Sequence, residues 1–197
     1  MEKTGWYFSV LPDGWTADKV IDAKDKKAVA VMTAGSLLIA AAVAVPLYFV
    51  GRKYPFEGFG KKILLYYLLF MAALFAYIVL HELTHGAVYK LMTREKLTFG
   101  MTLTVAFCGV PHIYVKKRAA LASVIMPFLV FNIVFGLPLF FVKTGPLFML
   151  FAALIALHAA GCVGDLWVAG VLLFRYRGRE VLMNDTGPKQ TFYVEKT

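Results

Sequence analysis

His81, Glu82 and His85 are the residues whose types and spacing could do chemistry. On a helix, positions four apart share a face, so His81 and His85 can present their ring nitrogens to one point while Glu82 lies one step round. Two imidazoles so placed can ligate a metal ion, and the carboxylate beside them can reach a water at that ion. This H-E-x-x-H spacing is the arrangement of zinc hydrolases. Random assembly of this composition would yield it on the order of once in several hundred chains. The motif also lies in an apolar run, where His81, Glu82 and His85 together are costly unless something bound there offsets the cost.

The elements that must position these groups read as membrane helices. The chain of 197 residues is 60% hydrophobic and 15% aromatic, with mean hydropathy +0.69, too apolar for an ordinary soluble domain. Long apolar runs occupy residues 28–50, 63–92, 119–142 and 146–174. Each is long enough to span a bilayer at about 1.5 Å per residue. The expected fold class is an all-α polytopic membrane protein of about four transmembrane helices, with a β-hairpin over residues 96–117 between the second and third. Residues 1–27 form a cytoplasmic N-terminal segment and residues 175–197 a cytoplasmic tail, flanking a membrane domain at 28–174. The first apolar run exceeds a signal-peptide core and reads as an anchor.

The formal net charge is +9, but the basic residues cluster in the connections between apolar runs, as orientation in a bilayer requires. That distribution excludes nucleic acid as the expected partner. Lysines and arginines number five in residues 1–27, four in the first connection, five in 93–118, one at Lys143 and five after Phe174. With four spans, both termini are expected on the cytoplasmic side of the cell membrane. Cys108 and Cys162 fall on different elements without metal or disulfide spacing and read as reduced bystanders.

Catalytic zinc sites use three protein ligands and keep one position open, so a third group must come from another element. Within the predicted spans the acidic and histidine candidates are His158 and Asp165. They are two helical turns apart, about 10.5 Å, so both cannot bind one ion. The second and fourth spans run in the same direction, which puts Asp165 at the depth of the motif and His158 deeper. Gly161, on the face of Asp165, and the pair Ala160 and Gly164 allow close helix approach. Asp165 is therefore the expected third ligand, with burial beside a cation as its structural alternative. His158 could polarise a substrate, orient a ligand or be a hydrogen-bonded core histidine. Asn132 could stabilise an oxyanion or bond across helices. His112, on a loop, could approach the metal from above.

Between the second and third spans the pattern changes to a period of two. Leu97, Phe99, Met101, Leu103, Val105 and Phe107 alternate with Thr98, Gly100, Thr102, Thr104 and Ala106, which predicts extended structure. Gly109-Val110-Pro111 then reads as a turn, and His112–Val115 as a second extended stretch. Such a hairpin could add a strand to an extended substrate, or simply cover the site. In the tail, residues 181–183 and 191–194 predict a second small hairpin around Asn184–Pro188.

His81-Glu82-Leu83-Thr84-His85-Gly86, the following hairpin, Pro127 with Asn132, and Gly164-Asp165 together resemble the putative zincin peptidases, small prokaryotic membrane proteins. Those in turn look like the core of the site-2 protease family of intramembrane metalloproteases. The resemblance covers roughly residues 63–175 and implies Zn2+ held by His81, His85 and Asp165, with Glu82 as general base. Met126-Pro127 with Asn132 is similar, imperfectly, to that family's Gly-Pro-x-x-Asn segment. Here Gly164 precedes the aspartate, and His158 stands roughly where the family has an asparagine before it.

The expected function is a zinc-dependent, membrane-embedded metalloprotease hydrolysing peptide bonds of a peptide or membrane-protein substrate near the cytoplasmic face. One alternative is a non-proteolytic metal-binding membrane protein serving as sensor, transporter component or scaffold. Another is a hydrolase of a lipid or a different amide, because an activated water does not choose its substrate.

Overall fold

The computed structural model describes residues 5–101 and 106–196. The chain forms two compact units. One comprises Met1–Val31, His81–Pro127 and Gly164–Thr197, the other Met32–Leu80 and Phe128–Val163.

The helices follow the apolar runs. Helix α1 (Lys26–Gly51) starts at Asp25, whose Oδ1 accepts the Ala28 N–H at 2.9 Å, a side-chain cap on a backbone donor that the first turn leaves unpaired. Helix α2 (Phe59–Thr93) carries the motif and ends where Arg94 turns left-handed at φ 60°. Helix α3 (Lys117–Gly136) contains Pro127 and continues through a 3-10 turn at Leu137–Phe140. The fourth run is broken at Cys162 into α4 (Gly145–Gly161) and α5 (Val163–Gly170), followed by a π-helical stretch at Val171–Arg175. The break lies between Gly161 and Gly164, where two glycines within four positions weaken helix propagation. By length and composition three helices could cross a membrane, or four if α4 and α5 with the π-helical stretch form one broken span. Leu37, Leu38, Leu64, Leu68 and Phe75 are more than half exposed along α1 and α2, a surface suited to lipid and costly in water.

The expectation of an all-α fold is corrected by a five-stranded antiparallel sheet. Its strands are β1 (Tyr7–Phe8), β2 (Trp15–Asp22), β5 (Tyr114–Lys116), β6 (Leu182–Asp185) and β7 (Lys189–Glu195), in the order β1-β5-β6-β7-β2. The two segments expected as separate extensions thus pair with each other, Trp15 opposite Glu195 through Asp22 opposite Lys189. The hairpin between α2 and α3 is also shorter than its predicted bounds. Strands β3 (Thr98–Met101) and β4 (Ala106–Gly109) pair within the alternating stretch itself, while β5, expected as the second arm, joins β1 and β6. Thr102, Leu103, Thr104 and Val105 lie outside the described residues.

The first unit has its own core. Tyr7, Tyr89, Val110, Val115, Leu172, Tyr176, Met183 and Phe192 are among its buried members, drawn from the sheet, the end of α2 and the π-helical stretch. A bulge in β2 between Ala17 and Lys19 releases Asp18 from the ladder. The Asp18 carboxylate accepts the Tyr176 hydroxyl at 2.7 Å and Arg175 Nε at 3.1 Å. The second unit is centred on Tyr77, Phe131, Phe135 and Leu154. In it α1 and α4 meet at small residues: Ser36 Oγ donates to the Ala160 carbonyl at 2.8 Å, an interhelical bond of the type that joins membrane helices.

Two outcomes follow for stability. The Tyr176 hydroxyl, and after it Arg175, holds the Asp18 carboxyl below its ordinary range despite partial burial. A depressed folded-state value stabilises the fold above the unfolded-state titration and loses that contribution as pH falls through the folded value. Asp18→Asn should therefore lower the melting temperature by about 2–4 °C at pH 7, and wild type and variant should converge as pH falls below the folded-state value of Asp18. Gly187, at φ 95°, is positioned so that a Cβ would overlap the Phe107 ring. Gly187→Ala should lower the melting temperature by about 5 °C or more, read by thermal unfolding in detergent.

Candidate metal centre

His81 and His85 lie one turn apart on α2, both 7% exposed, and Asp165 is in the first turn of α5. Their ligand-capable atoms converge. His85 Nε2 is 3.2 Å from His81 Nε2, His81 Nε2 is 3.2 Å from Asp165 Oδ2, and His85 Nε2 is 3.4 Å from Asp165 Oδ1. All three residues belong to the first unit. Nitrogen and oxygen ligands at about 2.0–2.2 Å from a tetrahedral zinc ion lie about 3.4 Å from one another. The donor set and its spacing therefore fit such an ion, and these residues form a group able to hold a metal.

The orientation of His85 is fixed from behind. Its Nδ1–H donates to the Ser123 carbonyl at 2.9 Å, so the lone pair is on Nε2, facing His81 and Asp165. Ser123 Oγ in turn donates to the His85 carbonyl at 3.3 Å. Helix α3 is thus tied to the motif through both the backbone and the side chain of one serine.

Glu82 is half-buried beside this cluster and close enough to feel the charges of His81, His85 and Asp165. The Cys108 backbone on β4 lies beside its carboxylate. The hairpin can lie this close because of Gly86. A Cβ there would stand 2.8 Å from Phe99 Cζ, 3.1 Å from Leu97 Cδ1 and 3.2 Å from Cys108 Sγ. Burial, then the nearby Asp185 and Glu82, pushes the Cys108 thiol up to about 12, so at neutral pH the free thiol is protonated and is no nucleophile.

A further buried pair supports the same helix. Tyr89, one turn past His85, donates its hydroxyl to Asp185 Oδ2 at 2.6 Å. Asp185 Oδ1 accepts the Gly187 N–H at 2.9 Å, and the Asp185 carbonyl accepts the Val110 N–H at 2.8 Å. The C-terminal hairpin is so joined both to the motif helix and to the residue after β4.

The remaining sequence candidates have other places. His158 is fully buried in the second unit, with Tyr77 Oη 3.1 Å from Nδ1 and Asn132 Nδ2 3.4 Å from Nε2. Asn132 Nδ2 also donates to the Phe128 carbonyl at 2.7 Å. Both thus take part in a buried hydrogen-bond cluster of that unit. His112 is exposed at a shallow cleft with Glu95, Lys96, Val110 and Ile113, and is not among the side chains gathered at His81, His85 and Asp165. Sequence reasoning missed Ser123, Tyr89, Asp185 and the backbone of Cys108. Of these, Ser123 and Asp185 carried a signal: a hydroxyl in an apolar helix and an acid in a turn. Gly86 was part of the motif, but its role in admitting the hairpin was not legible.

No curated protein and no solved structure matches the chain. A family model described as "Putative zincin peptidase" matches residues 74–178. That span is more than half of the 197 residues and includes the motif, Ser123 and Asp165. With two histidines, a carboxylate and an adjacent glutamate gathered as a zincin requires, the chain belongs to the putative zincin peptidase family.

Proposed function

We propose that this protein is a zinc-dependent, membrane-embedded metalloprotease, similar to the site-2 proteases, that hydrolyses peptide bonds near the cytoplasmic face of the membrane. The observation that carries the reading is the convergence of His81, His85 and Asp165 at mutual distances of 3.2–3.4 Å inside a chain whose other helices suit a bilayer. His81 and His85 through Nε2, and Asp165 through a carboxylate oxygen, would hold the zinc. The ion supplies Lewis acidity that makes a water nucleophilic near neutral pH. Glu82 would take a proton from the attacking water and return it to the leaving amine nitrogen.

The His85–Ser123 bond holds one ligand in its binding tautomer. The substrate is a peptide segment in extended form. Among the described residues β3 pairs with β4 alone, and Thr98, Phe99 and Met101 are exposed, so its outer edge can add a strand of substrate. Both termini face the cytoplasm, in keeping with the distribution of lysine and arginine.

Purified wild-type protein should hold about one zinc per chain, measured by elemental analysis in detergent. His85→Ala and Asp165→Ala should each lose it. Zinc retained by Asp165→Ala would remove that residue from the ligand set. Glu82→Gln should keep the metal and lose cleavage of an unfolded peptide by about 10²–10⁴-fold. Full cleavage by Glu82→Gln would refute the general base. Stoichiometric zinc with no hydrolysis of peptides by the wild type would favour a non-proteolytic metal protein.

A further inference from the structure

Helix α3 contains a proline in its interior, at position 127, with helical structure on both sides. In a regular helix the backbone N–H of residue 127 would donate to the carbonyl of residue 123. Proline has no N–H, so the Ser123 carbonyl has lost its helical partner. That same carbonyl accepts His85 Nδ1–H at 2.9 Å. A buried carbonyl needs a donor and a metal-binding imidazole needs its second nitrogen occupied, and each supplies what the other lacks.

We propose that Pro127 is a positioning residue for the metal centre: by withholding a backbone N–H it reserves the Ser123 carbonyl for His85 and so sets the tautomer in which Nε2 faces His81 and Asp165. Were residue 127 to carry an N–H, that group would compete for the carbonyl from within the helix. His85 would then be freer to rotate, or to place its proton on Nε2 and withdraw the lone pair from the ion. The helix hydrogen bond forgone at Pro127 is thus exchanged for order at His85. The inference rests on the metal-site reading above, but not on the substrate.

The test compares zinc affinity, by competition with a chromophoric chelator, for wild type, Pro127→Ala, and a protein carrying the α-hydroxy acid analogue of alanine at position 127. The hydroxy acid keeps the alanine side chain but replaces the N–H by an ester oxygen. Pro127→Ala should weaken zinc binding by about 10–100-fold while its metal-free melting temperature is equal to or above that of wild type. The ester should restore affinity to within about threefold of wild type, because it again lacks the donor. Pro46→Ala, which removes the interior proline of α1 in the second unit, should leave zinc affinity unchanged.

Affinity of Pro127→Ala within about threefold of wild type would overturn the proposal. So would equal weakening in the alanine and ester proteins, which would assign the effect to ring shape. Wild type that binds zinc but cleaves no peptide would refute the proteolytic reading alone, and the affinities would still decide the role of Pro127. Wild type that binds no zinc would overturn both.

Discussion

Three groups that each need a partner are gathered at one buried point, and the arrangement of the first unit follows from that constraint. His81 and His85 are nearly inaccessible and face an aspartate at hydrogen-bond distance. Polar groups withdrawn from water must be satisfied or they cost several kcal/mol. A divalent cation would satisfy all three at once, and their separations match the coordination sphere of zinc. The neighbouring segments then serve to hold these side chains in that geometry. Ser123 does so for His85.

The sheet gives these contacts a rigid base. Strands from both ends of the chain close around β5, which leads directly into α3, and the turn after β6 is packed against the end of β4. At Gly109 a Cβ would lie 2.5 Å from the Gly187 nitrogen and 2.8 Å from the Asp185 carbonyl. Such close approach leaves little freedom to the strand beside Glu82. The C-terminal hairpin lies beyond residues 74–178, the region the family model covers, yet it contributes Asp185 to the end of the motif helix.

What could be read from the sequence was what local pattern encodes. The motif, the apolar runs and the place of Asp165 follow from helical periodicity, charge distribution and the coordination requirement of zinc, and the structure brings Asp165 to the histidines. The five-stranded sheet was not legible, because β1 and β5 have only two and three residues. Pairings such as Tyr7 with Val115 and Lys19 with Phe192 join residues too distant in sequence for any local signal. The alternating stretch from Leu97 to Phe107 announced strands but not the point of reversal, since period two is indifferent to which partner a strand takes. The hydroxyl of Ser123 marked the residue but not its role, because its principal contribution is a carbonyl that only a neighbour's missing N–H makes available.

The most direct test of the metal centre is the zinc K-edge X-ray absorption spectrum of the purified protein in detergent. The account predicts a single first shell of nitrogen and oxygen at about 2.0–2.1 Å, with the multiple-scattering signature of two imidazoles and no sulfur. A sulfur shell near about 2.3 Å, or fewer than two imidazoles, would contradict a site built from His81, His85 and Asp165.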